Sequence, residues 1–541
     1  MWFNLQSLTI EKRINMKKFN LYLGAFIALI GTCACGSGGS TKSTEAEADS
    51  IKKDSLAKVA QTPHPDTTYA SVKNLKANVV DVFLKDVPGK LESYENLYAN
   101  VDGILTFRGD PSRETPFAGK VKGTPSTVKV DWAFNTGAGM TGRWGGGSGW
   151  TGQPLYVNWS DAQLKRIKTE AAQYVKPELK NKEIIVGSLA GKVFFIDFET
   201  GKASREPYNI KNPIKGTTSI HPSLNGNIFV GQGINTTSPF GAVVFNLYNH
   251  KQVSFFPVDR NAWRAWGAYD SSPIAVGQFV FRPGENNTLY KLYCKGDSVK
   301  LHSTLRFRGA NGNAAGMESS IAIHRNYGYV ADSDGNILCV NLDNLNVVWH
   351  YRNHDDTDAS IVVVEENGVP FLYTGCEIDS QGAEGFSWFT KLNGLTGEEV
   401  WTTQIDGRCI DGKKKVEGGM FSTPLVGHGD CEGMIFSHFV THKAGRLGEF
   451  VAFDRNTGKT IYRIPLKNYS WSSPVALYNE KNELFIFTGD VVGNVYLMRG
   501  KTGEILHTSH VANNFESSPI VIGNKVVCGS RGTQIYKMSV E

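Results

Sequence analysis

Cysteine is scarce in this sequence: there are eight in 541 residues, and no two of them form a C-x-x-C, a C-x-x-C-H or an adjacent pair. The spacing excludes zinc and haem attachment, and the length excludes a small disulfide-based scaffold. Blocks of basic residues are also missing and the net charge is only +5, so nothing indicates a nucleic-acid-binding protein. What is abundant is glycine, with 58 residues, beside 40% hydrophobic residues, which predicts a large core with many turns.

The N-terminus has the features of a targeting signal. Two lysines precede an apolar run over residues 21–30, which is too short for a membrane span because that needs about 20 apolar residues. Cys35 follows this run directly after a small alanine, in the pattern of a lipobox, so we predict that its thiol carries a lipid anchor. An ordinary secretory signal with incidental cysteines is the alternative. Residues 1–15 are interpreted as an extension upstream of the natural start, within a signal peptide that covers 1–35.

Residues 36–98 are predicted to form a flexible tether. The first thirty or so are rich in Gly, Ser, Thr and charged side chains, which have nothing to bury. Residues 69–98 mix apolar and charged positions, and a short helix is expected there. A lipid on Cys35 holds such a protein at a membrane while its folded body stays in water. Because no acidic run follows Cys35 directly, we expect an outer-membrane lipoprotein whose body faces the periplasm.

A repeat determines the predicted fold. One marker is a Thr-Gly pair in a tight turn between two short strands, found at residues 200, 396, 457 and 502. The other is Ser-Ser-Pro, or a looser version of it, which opens an apolar run and recurs eight times about 40 to 68 residues apart. The longest gap contains 161–182, which is predicted to be a helical insertion. The eight openings end at Pro154, Pro222, Pro273, Ile321, Ile361, Pro424, Pro474 and Pro519.

Each unit contains four short strands with Gly, Asn and Asp at the junctions, and no helix lies between most of them. This pattern predicts an all-β, eight-bladed propeller over residues 99–541. The last unit has only three strands before the chain ends. We expect 128–134 to supply its fourth strand and so to close the ring, which hides the edge strands.

These residues carry a family resemblance. The W-x-F-x-T-G sequence at 132–137, the Ser-Ser-Pro strands, the repeated Asp-x-x-Thr-Gly hairpins and the F-R-G-D lead-in at 107–110 resemble the pyrroloquinoline-quinone (PQQ)-type propeller repeat. The resemblance covers about residues 101–541. It implies an eight-bladed wheel, and it leads to two branches of the family with different functions.

The first branch contains quinone-dependent dehydrogenases, which hold PQQ and Ca²⁺ and use an aspartate base. The adjacent cysteines and the haem motif found in many of them are missing here, and no catalytic or cofactor-binding residue can be carried over. The second branch is similar to BamB, a non-enzymatic outer-membrane assembly lipoprotein. We therefore expect a monomeric protein-binding scaffold without a cofactor, whose partner is an envelope protein. PQQ with Ca²⁺ in a dehydrogenase, or a glycan-binding lipoprotein, are the alternatives.

An acidic ring is predicted at one mouth of the channel. The positions three residues before each marker proline or isoleucine are equivalent, and the first strand of each blade lines the channel. Such a ring would hold a cation or attract a basic loop of a partner. Alternatively, these carboxylates accept hydrogen bonds from neighbouring blades. The acidic members are Asp270, Glu318, Asp358 and Glu516, and Ser219 is the corresponding residue of the second blade.

Clustered aromatic residues near the same positions predict a contact surface for a protein or a sugar. Packing between blades is the other interpretation of the same residues. The candidates are Trp263, Trp266, Tyr269, Trp471 and Phe515.

Two smaller motifs also have two interpretations each. The run from Asp332 to Asn336 is similar to a calcium loop but lacks its glutamate at the twelfth position, which favours a simple hairpin turn. Cys409 and Cys431 either form a disulfide or remain thiols.

Overall fold

The computed structural model describes residues 68–138, 146–149, 152–410 and 415–541. The predicted signal peptide, Cys35 and residues 36–67 of the tether lie outside these ranges. Within them, no helix is both long enough and apolar enough to cross a membrane.

Eight sheets form the eight blades of the predicted propeller, and each contains four antiparallel strands ordered from the channel to the rim. The strands of blades 1 to 4 are Leu155–Asn158, Lys182–Ser188, Lys192–Asp197, Tyr208–Asn209; Ser219–Ile220, Asn227–Gly231, Gly241–Asn246, Gln252–Pro257; Ile274–Val276, Phe279–Gly284, Thr288–Lys295, Ser298–Arg308; and Ala322–His324, Tyr327–Ala331, Asn336–Asn341, Val347–Arg352. Those of blades 5 to 8 are Val362–Glu366, Val369–Gly375, Glu384–Asn393, Glu399–Arg408; Leu425–Val426, Met434–Lys443, Arg446–Asp454, Thr460–Leu466; Val475–Tyr478, Leu484–Gly489, Asn494–Arg499, Ile505–His510; and Ile520–Ile522, Lys525–Gly529, Gln534–Val540, Val128–Asn135.

The ring closes as the sequence predicts. Val128–Asn135 pairs antiparallel with Gln534–Val540, so a strand from early in the chain completes the last blade. The closing junction also has an apolar core, in which Ile184 and Ile196 of blade 1 belong to one cluster with Val527 of blade 8. Closure thus combines backbone pairing with hydrophobic packing.

The two faces of the wheel follow from the strand order. The innermost strand of each blade begins on one face, where the turns between the second and third strands also lie; we call this the entry face. The Thr-Gly turns between the third and fourth strands lie on the opposite face.

Each Thr-Gly turn receives an aromatic side chain from the preceding blade. The indole N–H of Trp349 in blade 4 donates to the carbonyl of Gly394 at 2.9 Å, and that of Trp401 donates to the carbonyl of Arg455 at 3.1 Å. Gly397 and Gly458 have φ of +75° and +70°, and a Cβ on either would lie 2.6 Å from the indole. Glycine is therefore required twice over, for the left-handed turn and for the close contact.

The stretch before the propeller differs from the predicted tether. Ala77–Val82 forms a fifth strand on the outer edge of blade 3, from Ala77 opposite Arg308 to Val82 opposite Ser303. Leu75, Leu91 and Tyr98 are buried. The prediction of a tether up to residue 98 is therefore wrong for residues 68–98, which belong to the folded body and which we call the strap.

Helices are few and short in the part of the chain that the structure describes. The predicted insertion at 161–182 contains the α-helix Asp161–Glu170, whose N-terminus is capped by Ser160 and Gln163. The helix ends well before residue 182. Pro177 disfavours a helical conformation of the residue directly before it. The 3₁₀ helices are Ala70–Asn74, Leu97–Asn100, Ala172–Tyr174 and Gly429–Cys431.

The smaller motifs have simple structures. Asp332 accepts hydrogen bonds from the backbone N–H groups of Asp334 and Asn336, so its loop is the predicted hairpin turn. No disulfide joins Cys409 and Cys431.

Candidate functional site

A segment from the N-terminal side fills the channel from the opposite face. Gly103–Ile104 pairs with the innermost strand of blade 1, and the carbonyl of Leu105 accepts from the N–H of Ile220 in blade 2. The chain turns at Arg108 and then descends, where the carbonyl of Pro111 accepts from the N–H of Ile323 in blade 4. Residues 103–117 therefore form a plug inside the wheel.

Two arginines tie this plug to the blades. Arg108 donates to the carbonyls of Pro474 at 2.9 Å and Pro424 at 3.4 Å, and Arg113 donates to those of Ile321 at 2.9 Å and Ser272 at 3.0 Å. Both side chains are fully buried, which lowers the pKa of Arg108 to about 9 and that of Arg113 to about 10. The plug, through Arg108 of the F-R-G-D lead-in and the following Arg113, is thus a structural clamp on four blades.

Hydrogen bonds to hydroxyl groups link neighbouring blades beside the channel. The backbone N–H of Ser272 donates to Oγ of Ser320, and the N–H of Ser320 donates to Oγ of Ser360, both at 2.8 Å. The same contact links Thr423 to Ser473 and Ser473 to Ser518. It explains the recurrent hydroxyl residue directly before the marker proline or isoleucine of blades 3 to 8.

The same type of hydrogen bond corrects the alignment of blade 2 with the other blades. The N–H of Gln153 in blade 1 donates to Oγ1 of Thr217 at 2.8 Å, so Thr217 is the ring hydroxyl of blade 2. The residue two positions earlier, equivalent to Asp270, is then Lys215. The sequence analysis placed Ser219 there because blade 2 lacks the Ser-Ser-Pro marker at this point.

Three of the four predicted acidic residues meet above the plug. Asp270, Glu318 and Asp358 line a cavity of about 10 Å³ at the entry face, and Phe107 of the plug is part of its wall. Glu516 does not line this cavity; it forms a salt bridge with Arg531 at 3.0 Å. The acidic ring is therefore a one-sided cluster between blades 2 and 5.

We call the cluster the acidic cup. The sequence analysis missed several of its members: Lys215, and three acidic residues that come from the end of a second strand or from the connection between two blades. Only Asp356, two positions before Asp358 in an acidic run, left a visible signal in the sequence. The cup consists of Lys215, Asp270, Glu285, Glu318, Asp356, Asp358 and Glu377.

One half of the cup contains a cation of the chain itself. Lys215 forms salt bridges with Asp270 and, at 3.5 Å, with Glu318. Burial lowers the pKa of Lys215, but Asp270, Glu318 and Glu285 together outweigh burial and raise it. Burial also raises the pKa of Asp270, to about 6, and raises that of Glu285 well above its ordinary value. The indole N–H of Trp266 donates to Glu285 at 2.9 Å.

The other half has no such cation. Asp356, Asp358 and Glu377 have carboxylate oxygens within 4.8 Å of one another, and none forms a salt bridge with a residue that the structure describes. Oδ1 of Asp356 and Oε1 of Glu377 accept no hydrogen bond from those residues either. Burial and the neighbouring carboxylates raise the pKa of all three groups well above its ordinary value.

The predicted aromatic surface is divided. Trp266 contacts Glu285 of the cup, and Trp471 packs against Phe421, another residue of the cavity wall, with ring centroids 5.2 Å apart. Trp263 is 37% exposed and lies near the guanidinium groups of Arg306 and Arg308.

The other two aromatic candidates are core residues. Tyr269 is buried against Tyr290, and Phe515 is buried against Tyr536, so neither belongs to a contact surface. For these two the interpretation as blade packing is correct.

PQQ and Ca²⁺, which the family resemblance implies, differ in whether they fit this site. A cavity of about 10 Å³ holds about one water-sized group, whereas pockets for organic cofactors are hundreds of Å³ in volume. PQQ therefore does not fit in this cavity. The oxygen atoms of Asp356, Asp358 and Glu377 are ligands of the type that Ca²⁺ prefers, so a hard cation fits.

No protein-family model and no curated protein sequence matches the chain. Among solved structures, a europium-containing methanol dehydrogenase is similar at a TM-score of 0.55 and 12% identity, over 81% of this chain and 98% of its own. The quinohemoprotein alcohol dehydrogenase from Comamonas testosteroni is similar at 0.57 and 12%, over 82% of both chains. BamB from Moraxella catarrhalis is similar at 0.47 and 15%, over 66% of this chain and 93% of its own.

Sequence identities this low establish the fold alone. The predicted fold is confirmed: the chain has the eight-bladed propeller of the PQQ-like repeat proteins.

Proposed function

We propose that this chain is a lipid-anchored scaffold of the bacterial envelope, in which the propeller binds other proteins and performs no reaction. In this proposal Cys35 carries the anchor, and the body faces the periplasm from the outer membrane. More specifically, we propose a role in outer-membrane protein assembly, as in BamB.

The observation that carries the proposal is the filled channel. The plug occupies it from the opposite face, and only about 10 Å³ remains between Phe107 and the acidic cup. That volume is too small for a quinone or an organic substrate. The surfaces of the wheel are then the places where binding occurs, and a scaffold closed by strand pairing is suited to present them.

The anchor is tested by labelling cells with radioactive palmitate. We expect label on the wild-type protein and on a Cys33→Ser variant, and none on Cys35→Ser, which should also leave the membrane fraction. Label that persists in Cys35→Ser contradicts the assignment.

The scaffold role is tested by crosslinking in cells followed by mass spectrometry, together with an assay for quinone chemistry. We expect an envelope protein to be enriched with the wild-type chain. We expect no dye-linked alcohol oxidation when the purified protein is mixed with PQQ and Ca²⁺. Quinone-dependent dye reduction would overturn the proposal.

A further inference from the structure

We propose that the acidic cup is a docking site for a lysine side chain from a basic segment of the partner. This inference rests on the proposed protein-binding function, and it adds the face of the wheel and the chemistry of the contact.

The local charge of the cup is opposite in sign to the net charge of the protein. The cup contains six carboxyl groups and one ammonium group, in a protein whose overall net charge is +5. A basic segment is therefore not attracted by the molecule as a whole. Clustered carboxylates in a recess concentrate a negative field and select a cation at that place.

The two halves of the cup differ in whether they contain an ammonium group. Lys215 shows how an ammonium group is held there, between Asp270 and Glu318. The half formed by Asp356, Asp358 and Glu377 has similar acceptors without an ammonium group. Glu377 is only 3% exposed, and its carboxyl group forms a side-chain hydrogen bond with Asp358, but its Oε1 has no hydrogen-bond partner among the described residues. An unsatisfied buried acceptor is costly, and an ammonium group with three N–H donors satisfies several at once.

The cup is accessible from outside, and its cavity is about the size of an ammonium group. Glu318, Asp356 and Asp358 are partly exposed, so the cup can be reached from the entry face. Asp358 lines the cavity together with Asp270 and Glu318 of the other half. This cavity accepts one group about as large as a water molecule, which matches an ammonium group but not a planar guanidinium. Trp266 and Trp471, both partly exposed, offer apolar surface to the methylene stem of a lysine.

The experiment measures peptide binding to the full-length protein in detergent by fluorescence anisotropy at 150 mM salt. The probes are three labelled peptides of identical Gly/Ser frame that carry three lysines, three arginines or three glutamates. The test variant is Asp358→Asn/Glu377→Gln, which keeps the shapes of both side chains. The control is Glu365→Gln/Glu480→Gln, which changes the charge equally at exposed positions on the opposite face.

We expect the lysine peptide to bind the wild-type protein more tightly than the other two peptides. The cup variant should weaken it by about tenfold or more, because a buried carboxylate partner of the ammonium group is lost, while the control changes it little. Circular dichroism verifies that both variants are folded.

Two results would overturn the inference. One is equal binding of the lysine peptide by the cup variant and the control. The other is 1:1 binding of Tb³⁺ that the cup variant loses, without binding of the lysine peptide, which assigns the cup to a metal ion. Crosslinks to an envelope protein that survive in the cup variant would refute this docking site but leave the proposed function standing.

Discussion

At the scale of single residues, two kinds of side chain determine how the blades join and what the channel mouth presents. The Thr-Gly marker was visible in the sequence because each copy serves the same contact with a preceding aromatic residue. Lys215 was not visible in the same way, because blade 2 has no Ser-Ser-Pro at this point. Only the hydrogen bond from Gln153 to Thr217 fixes the register that places Lys215 in the ring.

Gly458→Ala should destabilise the fold more than Gly445→Ala. Both glycines lie in blade 6 with a φ of about +70°, but a Cβ at Gly458 meets Trp401 at 2.6 Å, whereas a Cβ at Gly445 meets nothing within 4 Å. The backbone penalty of about 1 kcal/mol is common to both. Gly458→Ala should lose a further 1–3 kcal/mol or so from overpacking, measured by chemical denaturation. Equal losses would show that the contact with Trp401 is unimportant.

The cup should destabilise the folded protein at neutral pH. Burial and the neighbouring carboxylates raise the pKa values of Asp358 and Glu377 well above the ordinary carboxyl range. The folded state therefore binds more protons than the unfolded state in a pH window that begins at about pH 4 and extends up to these raised pKa values. The free energy of unfolding should therefore fall as the pH rises through this window. Asp358→Asn/Glu377→Gln should raise it by about 1–2 kcal/mol at pH 7.5 and reduce its pH dependence.

That prediction is checked by denaturant titrations between pH 4.5 and 7.5, with Glu365→Gln/Glu480→Gln as the charge-matched control. A cup variant that is less stable than wild type at pH 7.5 would show that these carboxylates are structural. In that case the alternative interpretation from the sequence, that they brace neighbouring blades, would be correct.

At the scale of elements, the strap and the plug are the parts that sequence reasoning placed incompletely. Ala77–Val82 has strand-forming valines, but its partner strand, which ends at Arg308, is more than 200 residues away. Because no strand close to it in the sequence pairs with it, the local sequence gives no sign of this pairing. The F-R-G-D lead-in was recognised as part of the repeat family, but its position inside the channel depends on contacts with several blades.

Arg108→Met should be strongly destabilising. It leaves the carbonyls of Pro424 and Pro474 without their buried donors, at a cost of about 1–3 kcal/mol for each unsatisfied group. Arg166→Met is the control, since Arg166 forms an exposed ion pair with Glu170 on the helix that contributes less than about 1 kcal/mol. Similar losses in the two variants, measured by urea unfolding, would contradict the role of Arg108 as a clamp.

At the scale of the whole molecule, the wheel and its closure followed from the sequence because they depend on repetition. Eight markers gave eight blades, and the missing strand of the last unit required a donor from elsewhere in the chain. The cup was only partly predictable, since it joins side chains from blades 2 to 5, and its members other than Asp270, Glu318 and Asp358 share no common spacing in the sequence. The proposed function depends at this scale on two properties, the small cavity of about 10 Å³ beside the plug and the acidic cup at one mouth of the channel.

The most direct test is photo-crosslinking in living cells from a photoreactive amino acid at one of two exposed positions. Ala314 lies on the entry face in the connection that leads to Glu318, and Lys481 lies on the opposite face. The account predicts a discrete crosslinked envelope protein from position 314 that is lost when Asp358→Asn/Glu377→Gln is added, and none from position 481. Crosslinks to a partner from position 481 alone, or crosslinks from 314 that the cup substitutions leave unchanged, would contradict it.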